Sequence, residues 1–211
     1  MLAAFVTGLV TGLGLIVAIG AQNAYVIRMG VMGRHVFAVT TICFLCDAFL
    51  IALGVAGLGT LIATTDWLRM AAAWGGAAFV TWFGARSLWN GVRRDHRGID
   101  IAEGEAAADP RAGAKAAIWA TLAFSLLNPH VYLDTVVMLG TIGAQFPLDG
   151  RLAFTVGAVI ASGVWFYGIG YGARAASPLF HKPAATRALD LLVAAVMFAV
   201  AIMLIRGELA R

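Results

Sequence analysis

Asp47 and Asp134 are the two acids set deep inside long apolar runs, Asp47 between Ile42 and Ile51 and Asp134 between Val131 and Leu139. A carboxylate at the centre of a bilayer span costs about 2.5–3.5 kcal/mol on insertion scales, so each calls for an explanation. One explanation is structural: the carboxyl packs helices, neutral or hydrogen-bonded to a hydroxyl. The other is functional: the pair lines a polar path and holds a proton or a cation, which makes Asp47 and Asp134 the candidates for proton coupling. Gln22, Asn23, Asn128, His130, Tyr132 and Thr135 also stand in uncharged runs. Pro129 lacks a backbone donor and disfavours helix at Asn128. Groups freed at such a break must be satisfied inside the protein or by a ligand. A proline kink patched by its neighbouring asparagine explains Asn128 equally well on its own. The matching Asn23 in the first half favours a binding site, with Gln22, Asn23, Asn128, Tyr132 and Asp134 as its expected substrate contacts.

The remaining reactive side chains carry less. Cys43 and Cys46 form a CxxC inside an apolar run, without a second cysteine pair or a strand-loop-helix context. They read as small core residues, and a transmembrane thiol or electron carrier is the competing reading. His35, His96, His130 and His181 are scattered, so no metal site is expected. His130 is either a proton relay or a structural hydrogen bonder. No Ser/His/Asp set or His-Glu-x-x-His helix suggests an enzyme, and no cofactor motif is present. Gly8 and Gly12 form a GxxxG that packs helices within the chain or between two copies in a homodimer, the first being favoured. Trp165 is the one tryptophan placed to wall a pocket.

These residues need membrane helices to position them. Of 211 residues, 61% are hydrophobic and 12% charged, about half the charged share of a soluble domain. Ten of the 26 charges crowd into Gly91–Lys115, and the apolar runs fall at 2–27, 37–65, 70–85, 116–148, 152–173 and 191–205. At about 20 residues per span, the fold class expected is an all-α integral membrane protein with about six transmembrane helices. The last run is short and draws on Arg187, Asp190 and Arg206 at its interfaces, where long side chains snorkel. The first run is read as a span rather than a signal peptide, because no basic residue precedes it and it is too long for a signal core. With six spans, the odd connections hold eleven of the fifteen basic residues, Arg28 and Arg34 among them. The positive-inside rule then puts the central loop in the cytoplasm and both termini outside. The net charge of +4 is accordingly topological, and nucleic acid is not an expected partner.

The chain divides at that loop into three units: 1–90 with three spans, a Gly/Ala/acid-rich linker over 91–115 containing Pro110, and 116–211 with three more. Three spans per half oppose the halves in the bilayer, the arithmetic of an inverted repeat. Gln22-Asn23-Ala24-Tyr25 in the first half echoes Leu127-Asn128-Pro129-His130 in the second, and Cys46-Asp47-Ala48-Phe49 echoes Ser162-Gly163-Val164-Trp165.

Three of these stretches carry a resemblance: Gly20-Ala21-Gln22-Asn23-Ala24-Tyr25-Val26, Cys46-Asp47-Ala48 with its glycine-rich sequel, and Leu127-Asn128-Pro129-His130-Val131-Tyr132-Leu133-Asp134-Thr135. The chain resembles the lysine/arginine exporter family of bacterial inner membranes over nearly its whole length. The homoserine/threonine branch typically has Pro-Gly-Pro-Asn where this chain has Gly-Ala-Gln-Asn, which points to the basic-amino-acid branch. The resemblance implies a multi-pass protein of the cytoplasmic membrane that exports L-lysine, L-arginine or analogues, driven by the proton motive force; the two opposed halves add the expectation of alternating access by rocking of one half against the other. Its partners would be a basic amino acid, protons and the lipid bilayer. Export of another small solute or a metal ion is the alternative. In cysteine-accessibility labelling, a residue of the 91–115 loop is expected to react only from the cytoplasmic side. Periplasmic labelling there would overturn the orientation.

Overall fold

A chain that leaves water must satisfy each backbone group within its own segment, and helix does this residue by residue. The computed structural model describes residues 1–17, 20–58, 66–92, 110–128, 131–180 and 183–209, and all regular structure among them is helical. In chain order the helices are α1 (Leu2–Ile16), α2 (Ala21–Val31), α3 (Val36–Leu53), α4 (Asp66–Val92), α5 (Pro110–Leu126), α6 (Leu139–Ala144), α7 (Leu148–Ala175) and α8 (Pro183–Leu209). A π-helical segment, Gly54–Leu58, extends α3, and a second, Tyr132–Met138, leads into α6. Proline marks three starts: Pro110 and Pro183 open α5 and α8, and Pro147 caps α7. In that first turn its missing N–H costs nothing. Between α2 and α3 the chain turns through left-handed backbone at Gly33 and His35.

α1 lies along α7 and α4 along α8, while α7 also packs on α2 and α3, and α3 on α5 and the second π segment. The α1–α7 approach is close enough to exclude any side chain at its centre. A Cβ on Gly8 would run into the Phe154 carbonyl, and one on Gly157 into that of Phe5. The Gly8–Gly12 motif is thus used within the chain. The first π segment meets the second, and α6, in the same way: a Cβ on Gly54 would lie 2.6 Å from the Val136 carbonyl oxygen, and one on Gly140 2.6 Å from that of Gly54. Thr41 and Tyr167 hydroxyls share a hydrogen bond of 2.8 Å between α3 and α7. Arg151 donates to the Phe146 and Ala144 carbonyls, both at 3.0 Å, and so closes the C-terminal end of α6.

Several expectations change. Three helical stretches among the described residues are long and apolar enough to cross a bilayer, Val36–Gly57, Leu148–Ala175 and Arg187–Arg206, and the α1–α2 pair, bent by 82°, makes up to four. That is fewer than the expected six. The first run is two helices rather than one, and the fourth is cut between Leu126 and Tyr132 into pieces too short to span alone. The third lies in α4, long enough at 27 residues but diluted by glycines, tryptophans and Arg86. α4 runs to Val92 and α5 begins at Pro110; residues 93–109, most of the expected 91–115 linker, lie outside the described residues, as do Pro129 and His130. Arg28 and Asp190, expected at the membrane surface, are both buried in the protein as an ion pair. The apolar cluster around them, with Tyr25, Phe83, Phe124 and Met197, is the core between α2, α4, α5 and α8.

The glycine contacts set a test. Gly157→Val forces a branched side chain into the Phe5 backbone, and overpacking of this kind costs about 1–3 kcal/mol or more. It is expected to lower the melting temperature of the detergent-solubilised protein, whereas Gly168→Ala, inside α7 with open space around it, does not lower it.

Candidate substrate cavity

Each broken helix leaves backbone groups that its own turns no longer satisfy. At the first break, the Asn23 amide donates from Nδ2 to the Ile16 carbonyl at 3.0 Å, and its Oδ1 accepts from Trp165 Nε1 at 3.2 Å. Gln22 Nε2 donates to Ser125 Oγ at 3.0 Å, tying the start of α2 to the end of α5. At the second break, the Tyr132 hydroxyl donates to the Leu126 carbonyl at 2.8 Å, and Thr135 Oγ1 to the Val131 carbonyl at 2.5 Å. The breaks are therefore stitched partly to themselves and partly to each other.

Between them lies a cavity of about 170 Å³. Gln22, Asn23, Asp47, Asn128 and Asp134 all line it, together with Thr135 and an apolar wall that includes Ile16, Val131, Phe166 and Val200. An apolar cavity of about 150 Å³ accepts a benzene-sized molecule, so a long amino acid enters this one fully only once it widens. Apolar walls with a few convergent polar groups are the usual make-up of a small-solute site. Five of the six expected site residues are thus brought together. Tyr132 is not among the lining residues; its hydroxyl donates to the Leu126 carbonyl at the helix end. Trp165 acts through Asn23, and its neighbour Phe166 forms the wall.

Asp47 is the most demanding member. It is 2% exposed, its Oδ2 accepts from Ser162 Oγ at 2.9 Å, and its buried Oδ1 has no hydrogen-bond partner. An ionised carboxyl is acceptor-only and wants several donors. A buried oxygen without one forfeits about 1–3 kcal/mol, more when charged. A cation or a proton arriving in the cavity relieves that deficit. Asp134 borders the same space, so two acids face one small volume.

Two contributors escaped the sequence reading. Ser125 stands one turn before the second break, and Ser162 next to Gly163, the position that echoes Asp47, so both are detectable as hydroxyls in apolar runs. Cys43 is buried in the core and Cys46 half-buried; both are free thiols and neither lines the cavity. Among the described residues no group of three or more His, Cys, Asp or Glu side chains is arranged to hold a metal ion.

A helical membrane protein with broken helices around a polar cavity defines a solute transporter as its class. The profile of the LysE type translocator family matches residues 13–208, and the chain belongs to that family, a multi-pass protein of the bacterial inner membrane. It is 41% identical over 214 residues to the "Putative amino-acid transporter YggA" of Aeromonas salmonicida, covering 99% of this chain and 98% of that protein. The protein of the same name from Aeromonas hydrophila is 41% identical over 181 residues, 84% of this chain and 76% of the relative. The "Arginine exporter protein ArgO" of Yersinia enterocolitica is 36% identical over 209 residues, 99% of each chain. No solved structure matches.

Because neither thiol reaches the cavity, Cys43→Ala with Cys46→Ala is expected to leave transport close to the parent rate. Complete loss in a stably inserted double variant would bring the thiol-carrier reading back.

Proposed function

We propose that the protein exports basic L-amino acids, arginine and lysine, by exchanging the substrate cation for protons at Asp47 and Asp134. The observation that carries this reading is the juxtaposition of both acids with Gln22, Asn23 and Asn128 around a single cavity. A basic amino acid brings one carboxylate and two cations. The first N–H groups of α2, which follow Gly20 at the cavity wall, suit the carboxylate, as helix N-termini do. The amides of Asn23 and Asn128 help to orient it. The acids take the ammonium or guanidinium groups, in a water-poor site where each charge counts for more than in solution.

Export of a cation runs against the inside-negative potential by about 2.3 kcal/mol per charge at 100 mV. An acid that binds either a proton or the substrate cation, but not both, turns inward proton movement into outward substrate movement. Two features support alternating access by two opposed halves. Both halves break their first long apolar run, and the packing partners exchange between halves, α1 on α7 matching α5 on α3 while α3–α7 and α4–α8 pair across. The relative named as an arginine exporter agrees with a basic cargo.

Efflux of labelled arginine, lysine, threonine and homoserine from proteoliposomes tests the proposal. Arginine and lysine are expected to leave, faster with an imposed proton gradient, and threonine and homoserine to stay. Asp47→Asn and Asp134→Asn, each inserted and monodisperse, are expected to lose net export. A role confined to packing predicts near-neutral amides, since an amide satisfies a polar niche without ionising. Parent rates in both amide variants would end the mechanism.

A further inference from the structure

Arg28 heads the fully buried side chains by size, at 1% exposed, and lies outside the cavity lining. Its Nη1 donates to Ser87 Oγ at 2.7 Å, its Nη2 stands 3.3 Å from Asp190 Oδ1, and its guanidinium carbon lies 5.3 Å from the centre of the Phe83 ring. Nε has no hydrogen-bond partner, and the Nη2–Asp190 contact is an ion pair without hydrogen-bond alignment. A buried guanidinium normally fills its fork of donors. This one is held by charge and a single hydroxyl, which leaves the pair intact yet easily parted.

Its position is on one side of the cavity. On α2, Gln22 and Asn23 line the cavity, and Arg28 follows Asn23 by five residues, about 7.5 Å along the axis. On α8, Val200 lines the cavity and Asp190 precedes it by ten residues, about 15 Å in the same direction. Between the two levels sits an aromatic layer. Tyr25 packs edge-on to Phe83 at 5.7 Å and against Phe124 at 4.9 Å, and Phe83 meets Phe124 at 4.9 Å. Beyond the ion pair, Gly30 abuts Gly170 and the Arg174 backbone, so this is the end that carries Arg34 and Arg174.

We propose that Arg28 and Asp190, backed by Tyr25, Phe83 and Phe124, form a lock that closes the cavity toward the Arg34/Arg174 end and parts when that end opens. The ion pair ties α2, and through Ser87 α4, in the first half to α8 in the second. A well-packed apolar group would hold these helices equally well. What a charge pair adds is two discrete states, made or broken, across an interface that moves. The opening half of the proposal rests on the transport reading; the sealing half does not.

The test uses the full chain in membrane vesicles of both orientations, with Cys43→Ala, Cys46→Ala and a reporter, Val131→Cys, in the cavity wall. A membrane-impermeant maleimide is expected to label the reporter slowly from the face at which a cysteine replacing Arg34 reacts. Arg28→Met with Asp190→Leu, which removes both charges together, is expected to raise that rate about tenfold or more, on that face only. Unchanged labelling in an inserted double variant overturns the lock. Should the double variant fail to insert, Arg28→Cys with Asp190→Cys is bridged by a short bifunctional thiol reagent. The bridged chain is expected to stop arginine efflux, restored on reduction, and undiminished efflux when bridged overturns the lock. Labelling needs no substrate, so a rise there with no arginine efflux keeps the lock and rejects the cargo.

Discussion

A polar group buried away from water must find its partner within the protein, and inside a bilayer no water makes good an omission. That constraint organises this molecule. Each broken helix sheds carbonyls, and Asn23 and Tyr132 bend back to take them. Gln22 and Ser125 join one break to the other. Once the breaks are stitched in this way they stand face to face, and the space left between them is the cavity. Close glycine contacts between α1 and α7 and between the two π segments bring the surrounding backbones together.

Two buried acids, Asp190 and Asp47, and the half-buried Asp134 meet the same constraint differently. Asp190 is paired with Arg28, so its charge is offset on site. Asp47 has one hydroxyl donor and an oxygen with no hydrogen-bond partner, and Asp134 shares its cavity. Removing one partner of a buried ion pair costs about 3–5 kcal/mol because the other charge is left buried and unpaired, so Arg28 and Asp190 depend on each other. An under-satisfied carboxylate at a small cavity is instead a site whose occupancy is open to exchange. The architecture thus separates holding from binding, with an aromatic layer of Tyr25, Phe83 and Phe124 between them.

Legibility in the sequence followed the same physics. Asp47, Asp134, Gln22, Asn23 and Asn128 were readable because a polar residue amid apolar ones is costly and so informative, and the structure gathers all five. Tyr132 was not, because a phenol is half apolar and nothing in its neighbours says whether the hydroxyl faces a cavity or a helix end. Arg28 and Asp190 sit near the ends of apolar runs, where charges ordinarily snorkel to the surface. Only the fold shows that they meet. The break after Asn128 was visible through Pro129, whereas the break before α2 has no proline and shows only as Gly20 in an otherwise uniform run. An apolar run reports length but not continuity.

The central claim is that one carboxylate in the cavity binds either a proton or the substrate cation. Calorimetry of arginine binding to the purified protein, repeated in buffers of differing ionisation enthalpy, measures the protons released per substrate bound. The account predicts proton release on binding to the parent protein and its reduction or loss in Asp47→Asn or Asp134→Asn. Arginine binding to the parent with no proton release, at any pH where binding is detectable, would contradict it.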